Sequence, residues 1–377
     1  MQNIGTGKTE EVRASRPFTG RSEPGTAESV QEHLLVGVSR TFALNIPQLP
    51  DGLREAVTNA YLLCRIADTI EDDPLLDTEA KDLFHTAFLE SAESGRGAED
   101  FAQDLWPRLA PGTLEAEIEL IRESPGILRV THQLLPRQRE AILRCLSIMT
   151  RGMGQFERTR SRGGLSDVAT LEKYCYFVAG VVGEMLTELF CAHSPHIDAR
   201  RDELEGRTVS FGLGLQMTNI LKDIWDDYEN GVCWLPREVF EGNGYDLSEL
   251  QPHHNGNGPS FSASMQHMVG IAHSHLREAL KYTLTIPSNE VGIRRFLIWS
   301  ALLAVSTLRN ISLLPLFTEG SDVKVSRWKV TGMITLSNAV IRSNAGLSGL
   351  FNIAARGLPL HNGNGSSIIA ERESKTQ

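Results

Sequence analysis

Two short segments concentrate the side chains that can do chemistry. In CRIADTIEDDP (64–74), Asp68 and Asp72 stand four residues apart with Glu71 between them. In QMTNILKDIWDDYENG (216–231), Asp223 and Asp227 repeat that spacing, and Asp226 is the third carboxylate. On a helix, positions i and i+4 share one face, one turn apart. Exposed like charges there repel by a few tenths of a kcal/mol, so one such pair alone suits a solvated acidic helix end better than a site. A calcium loop over 68–79 is excluded, because the central glycine is missing and Thr69 and Ile70 fall where ligands should alternate.

The second segment changes that balance. Its approach is apolar or amide-bearing (Gln216, Met217, Asn219, Ile220, Leu221), as in a helix facing an interior. Each segment also carries a basic residue, Arg65 or Lys222, just ahead of its first aspartate. Two such helices face to face would form a pocket rim able to hold several Mg²⁺ ions. Magnesium prefers oxygen, keeps its waters, and is usually bound by one or two carboxylates plus substrate phosphate oxygens. A diphosphate bridged by such ions becomes a good leaving group, since the metals neutralise charge that builds up as its C–O bond breaks. The candidate metal ligands are thus Asp68, Glu71, Asp72, Asp223, Asp226 and Asp227, with Asp73 a simple cap before Pro74. Arg65 and Lys222 would add direct contacts to the departing oxygens.

The elements that must position these groups are helices. Apolar residues recur at three- and four-residue spacing over 28–90, 113–190, 204–229, 263–285, 290–318 and 327–350, with prolines at the boundaries. Runs of alternating β-branched residues are nearly absent. We therefore expect one all-α domain over 28–355, between disordered segments at 1–27 and 356–377, with QPHHNGNGPS (251–260) a mobile surface loop. GTGKT (5–9) lacks the first glycine and the preceding strand of a phosphate-binding loop.

Composition bounds the partners. A net charge of −10 argues against nucleic acid, although metal ions can reverse the field of an acidic pocket. Five scattered cysteines without a C-x-x-C pair suggest reduced thiols. No leader peptide opens the chain, and FLIWSALLAVSTL (296–308) is short of the ~20 apolar residues a bilayer demands. The expected location is cytoplasmic, with a peripheral contact on the inner face of a membrane.

In order along the chain, SRTF (39–42), Tyr61 and Arg65, ADTIEDD, KYCYFVAGVVGEM (173–185), NILKDIWDD and G-x-x-W-L-P (231–236) resemble the squalene/phytoene synthase family over about 30–345. KYC…VAGVVG looks closest to its squalene-forming branch, and VKVSRWKV (323–330) is similar to a basic segment of that branch. The resemblance implies an all-α isoprenoid synthase fold with helices around a central apolar cavity. It also implies Mg²⁺-dependent head-to-head condensation of two farnesyl diphosphates to presqualene diphosphate, then reduction by NADPH. Dehydrosqualene- or phytoene-type products without reduction, or arrest at presqualene diphosphate, are the alternatives, with a non-catalytic prenyl-lipid binder as the remote one.

Family roles carry onto Asp68, Asp72, Asp223 and Asp227 as the Mg²⁺–diphosphate aspartates. Ser39, Arg40, Arg65 and Lys222 match diphosphate-side residues, and Phe42, Tyr61, Gln216 and Asn219 match cavity-lining positions. Tyr174 matches the tyrosine assigned to proton abstraction or cation control. No Rossmann glycine pattern is present, so an NADPH site would lie in a cleft near Lys324 and Arg327. One departure stands out: the basic residue expected just after Gly231 is Val232 here.

Overall fold

The computed structural model describes residues 27–39, 41–251 and 258–361, and among these it contains helices and no strand. Arg40, GTGKT, most of 251–260 and residues 362–377 lie outside the described residues. The first half runs α1 (Ala27–Val38), α2 (Leu53–Asp72), α3 (Thr78–Ser94), α4 (Ala98–Leu105), α5 (Glu115–Arg122), α6 (Ser124–Gln133) and α7 (Pro136–Glu157). Next, α8 (Val168–Cys175) passes through a π-helical turn, Tyr176–Gly180, into α9 (Val181–His193). Then come α10 (Arg201–Lys222), α11 (Ile224–Glu229), α12 (Arg237–Gly242), α13 (Gly258–Thr285), α14 (Val291–Leu313), α15 (Arg327–Val340) and α16 (Asn344–Ala354). Pro125 and Pro136 open α6 and α7 in the first turn, where a missing N–H costs nothing.

Two apolar clusters form the core, and the long helices run through both. Leu204 and Phe211 of α10 join the first cluster, while Val209, Leu213, Met217 and Leu221 join the second. Likewise α14 gives Phe296 and Leu297 to one cluster and Ile298 and Leu302 to the other. Small residues let α10 cross the α8–α9 rod almost backbone to backbone. A Cβ on Gly212 would stand 2.3 Å from the Ala179 carbonyl oxygen, and one on Gly183 would stand 2.6 Å from that of Thr208. Glycine in VAGVVG therefore serves close helix packing.

Three expectations are corrected. The polar insertion is shorter than its composition suggests, because α13 already begins at Gly258. Two helical stretches, Val168–His193 and Val291–Leu313, are long and apolar enough to cross a membrane, yet 50% and 61% of their most apolar windows are buried inside the protein. Their hydrophobicity is spent on the core. Finally, the helix carrying the second acidic segment is not continuous: it breaks at Asp223 (φ −99°, ψ 16°) between α10 and α11. The residues after the last helix pack back on α13, where His273 Nδ1 lies 2.8 Å from the Pro359 carbonyl and Ser274 donates to that of His361.

Candidate active site

The first acidic segment is the open stripe of an otherwise enclosed helix. Ala56, Val57, Ala60, Leu63, Cys64, Ala67 and Ile70 of α2 are buried. Tyr61, Arg65, Asp68 and Asp72 follow one another at helical spacing along the side that keeps solvent access. With the other faces of α2 packed into the protein, these four groups can point only one way. α10 repeats the scheme: Gln216, Asn219, Lys222 and Asp223 retain access while Met217, Thr218, Ile220 and Leu221 are buried.

The break at Asp223 does not disturb the one-turn spacing. Asp223 N–H donates to the Asn219 carbonyl (2.8 Å), and Asp227 N–H donates to the Asp223 carbonyl (2.9 Å). Trp225, buried in the second cluster, pins the junction by donating its indole N–H to Phe317 O (2.8 Å).

The charges of the two segments act on each other. Burial, then the neighbouring charges of Asp72 and Glu117, push the Asp68 carboxyl up to about 7 against the pull of Arg65. Glu71 is likewise pushed up to about 7, by burial and by Glu157 and Asp72. Burial raises Asp72 as well. Asp227 rises to about 7 through burial and the charges of Asp223, Asp72 and Asp226; Asp72 belongs to the other segment. The side chain of Asp68 nevertheless keeps 36% of its surface accessible. A carboxyl reachable by solvent yet crowded by protein has its charge incompletely solvated.

Tyr174 stands beside both segments. Burial, then Asp72, Cys175, Asp227 and Glu71, hold its phenol well above the ordinary value, so it is neutral at physiological pH. Its ring stacks on Trp234 (3.9 Å between centroids, 11° between planes) and meets the edge of Phe156 (5.2 Å). A second aromatic group lies along the α2 stripe, with Phe42 5.1 Å from Tyr61 and 6.4 Å from Phe296. Ser39 Oγ accepts from Phe42 N–H (3.0 Å) and also engages the Tyr61 hydroxyl.

The cations are partly committed. Arg65 binds Glu117 of α5 in a tight ion pair and approaches Asp68 at 3.8 Å, while its buried Nε has no partner. Lys222 Nζ contacts Asp223 Oδ2 at 2.9 Å. Lys324 ends a segment anchored by Asn310, which donates to the Val323 and Lys324 carbonyls, and Arg327 opens α15; both cations are exposed. No side-chain contact of theirs with the acidic recess is seen.

Several participants carry no signal in the local sequence. Glu117 reaches Arg65 across 52 residues. The buried Lys81 binds Glu157 at 2.8 Å, and Glu157 also binds Arg160 at 3.3 Å. Tertiary contact alone brings these groups to the recess. Asp73 proves more than a cap: Oδ1 accepts from Leu75 and Leu76 N–H, and Oδ2 from Ala110 N–H (2.7 Å) and the Thr113 hydroxyl. It staples the end of α2 to a distant loop and has no lone pair to spare for a metal.

The donor set suits Mg²⁺. It consists of carboxylate oxygens, and Glu71 Oε2 is buried without a hydrogen-bond donor, as expected of an atom meant for a cation or its water. Among the described residues no three carboxylates converge on a single point. That arrangement fits an ion that completes its shell with phosphate oxygens and water.

A profile of the squalene/phytoene synthase family matches residues 35–329. The chain belongs to this family. Similar relatives include squalene synthases of Eremothecium gossypii (28% identical over 280 residues, 73% of this chain and 60% of the relative) and Arabidopsis thaliana (30% over 279 residues, 73% and 63%). Squalene synthase BSS of Botryococcus braunii is 31% identical over 261 residues, 67% of this chain and 52% of the relative. The match thus spans only about half to three-fifths of these relatives' length. A solved TcSQS–ligand complex aligns with 88% of this chain and 98% of its own at a TM-score of 0.67 and 22% identity. A dehydrosqualene synthase complex aligns with 84% and 97% at 0.58. These likenesses establish the all-α isoprenoid synthase fold for this family member.

Proposed function

We propose that this squalene/phytoene synthase family member joins two farnesyl diphosphates head to head through presqualene diphosphate and reduces the product to squalene. What supports this reading is that the charge of Asp72 acts on Asp227 of the other segment, and that both act on Tyr174. Asp68, Glu71 and Asp72 would hold Mg²⁺ from one side, and Asp223, Asp226 and Asp227 from the other. When bound, Mg²⁺ supplies the positive charge that makes diphosphate a leaving group. Arg65 and Lys222 donate to diphosphate oxygens. Phe42, Tyr61, Gln216 and Asn219 line the prenyl path, and Tyr174, neutral and held flat by Trp234, offers a π-face and a hydroxyl to the cation without capturing it. NADPH supplies hydride for the reduction; Lys324 and Arg327 are the residues we assign to its phosphates.

The deciding experiment incubates purified protein and Mg²⁺ with farnesyl diphosphate, with and without NADPH, and identifies the products by mass spectrometry. Squalene formed only with NADPH is expected. Dehydrosqualene without NADPH, presqualene diphosphate under both conditions, or reaction of geranylgeranyl diphosphate alone would each replace this reading.

A peripheral membrane contact belongs to the same proposal, since the product is an oil. It is supported by residues 323–361, which hold five Lys/Arg and no Asp/Glu in a chain of net charge −10. There α15 buries a single residue, Ser337, and Trp328 is 75% exposed beside a groove of about 410 Å³ also lined by Leu313, Leu336 and Ile353. An indole flanked by cations over apolar surface suits an anionic bilayer interface. Lys329→Glu should lower the partition constant onto phosphatidylglycerol-containing vesicles, read by co-sedimentation, by about thirtyfold, a basic residue near such a surface contributing about 1 kcal/mol and the reversal counting twice. Neutral vesicles should show little change.

A further inference from the structure

The segment Arg160–Arg162, between α7 and α8, lies directly against the chain that follows the second acidic segment. Cys233 N–H donates to the Ser161 carbonyl (2.9 Å), which brings the neighbours of Ser161 alongside the buried Val232. Val232 is the apolar residue at the position where a cation was expected. The two arginines on either side of Ser161 behave differently. Arg162 caps α11: its Nε donates to Tyr228 O (3.1 Å), its Nη2 approaches Glu229 O (3.4 Å), and its guanidinium lies 5.2 Å over the Tyr228 ring. Those carbonyls belong to the last turn of α11, where a basic side chain is favourably placed, so Arg162 has a complete structural task.

Arg160 has only part of one. Its Nη2 donates to Asn230 O (3.0 Å) and its Nη1 pairs with Glu157 Oε2 (3.3 Å). Glu157 is shared with Lys81, so the Arg160 charge is not fully neutralised by its partner. It is also held in place: Glu157 at the end of α7 and Asn230 at the end of α11 fix the guanidinium from two sides. The field of Arg160 is felt by Glu71 and Asp72 of the first segment and by Asp227 of the second. Arg65 acts on the first segment, and Lys222 pairs within the second.

We propose that Arg160 is a diphosphate-positioning cation between the two acidic segments, delivered through the fold to where the sequence has Val232. It rests on the prenyl-diphosphate reading of the site. Its guanidinium donates to the leaving diphosphate as the C–O bond breaks and the electron pair departs with the oxygen. No proton moves to or from it.

The test measures binding of farnesyl thiodiphosphate, a slow-ionising analogue, to the full chain with Mg²⁺ by calorimetry. Arg160→Gln should weaken binding about tenfold to a hundredfold, the worth of a charge-assisted hydrogen bond. Arg160→Lys should recover part of the loss, and added guanidinium should partly restore Arg160→Ala. Arg162→Gln is the comparison: it should lower the thermal midpoint and leave affinity within about twofold, as loss of a cap would. If Arg160→Gln lowers only the thermal midpoint and binds the analogue like the parent chain, Arg160 is structural and the proposal is overturned. Absence of guanidinium rescue together with an unchanged KM would overturn it too. If the parent chain binds the analogue through Arg160 yet forms no head-to-head product, the proposed reaction fails while this assignment stands.

Discussion

Replacing Asp68 and Asp72 together by Asn should lower kcat/KM for farnesyl diphosphate on the order of 10³-fold or more, because it removes charge stabilisation that matters most as diphosphate leaves. The same loss is expected from Asp223→Asn with Asp227→Asn. Neither change should unfold the protein. The carboxyls of Asp68, Glu71 and Asp227 are pushed up to about 7, well above the ordinary carboxylate range, so without a bound cation their ionised forms oppose folding. The sign follows directly. A carboxyl whose folded pKa is raised contributes stability that is present at about pH 4 and is lost as pH rises through about 7. The metal-free protein should therefore lose thermal stability between about pH 4 and 7, and the Asn variants should flatten that slope. Mg²⁺ with pyrophosphate should restore stability at neutral pH in the parent chain by binding the folded state, and should not do so in the variants. Melting curves across that pH range separate this account from simple loss of fold.

The second large effect concerns Tyr174. Substitution by Phe should retain the stack on Trp234 and the edge contact with Phe156, and so the fold. It should lower kcat on the order of 10²-fold by removing the hydroxyl from the field between Asp72 and Asp227, with little change in KM. Because that phenol stays neutral, the rate should show no alkaline limb assignable to tyrosinate up to about pH 9. Tyr174→Ala should do more damage, since Trp234 and Phe156 lose their partner and the recess floods. A Phe variant with unchanged kcat would remove Tyr174 from the chemistry and leave it a wall residue.

The shared face of Asp68 and Asp72 was legible in the sequence because helical spacing sorts them together, whereas Tyr61, which fits the apolar spacing, came to the site only through the family resemblance. The interior-facing second segment was legible for the same reason. What periodicity cannot give is what crosses between elements. It predicts a helix through Asp223 and misses the break, which depends on Trp225 being tied to Phe317. It gave Asp73 the minor role of a cap, because its partners Ala110 and Thr113 are remote in the chain. Glu117, Lys81, Glu157 and Arg160 were invisible, since each reaches the recess by a contact over tens of residues or from an irregular loop. Counting apolar runs also understated α8–α9 and α14, whose interspersed small and hydroxyl residues do not lower their mean hydropathy enough to disqualify them.

Everything proposed for the reaction depends on the two acidic segments forming one Mg²⁺-dependent diphosphate site. Calorimetric titration of pyrophosphate into the parent chain, the Asp68/Asp72 Asn variant and the Asp223/Asp227 Asn variant, each with Mg²⁺ and with EDTA, tests it most directly. Binding by the parent chain in Mg²⁺ alone, and its loss in both variants, is the expected result. Full affinity retained by either variant, or binding by the parent chain in EDTA as tight as in Mg²⁺, would contradict it.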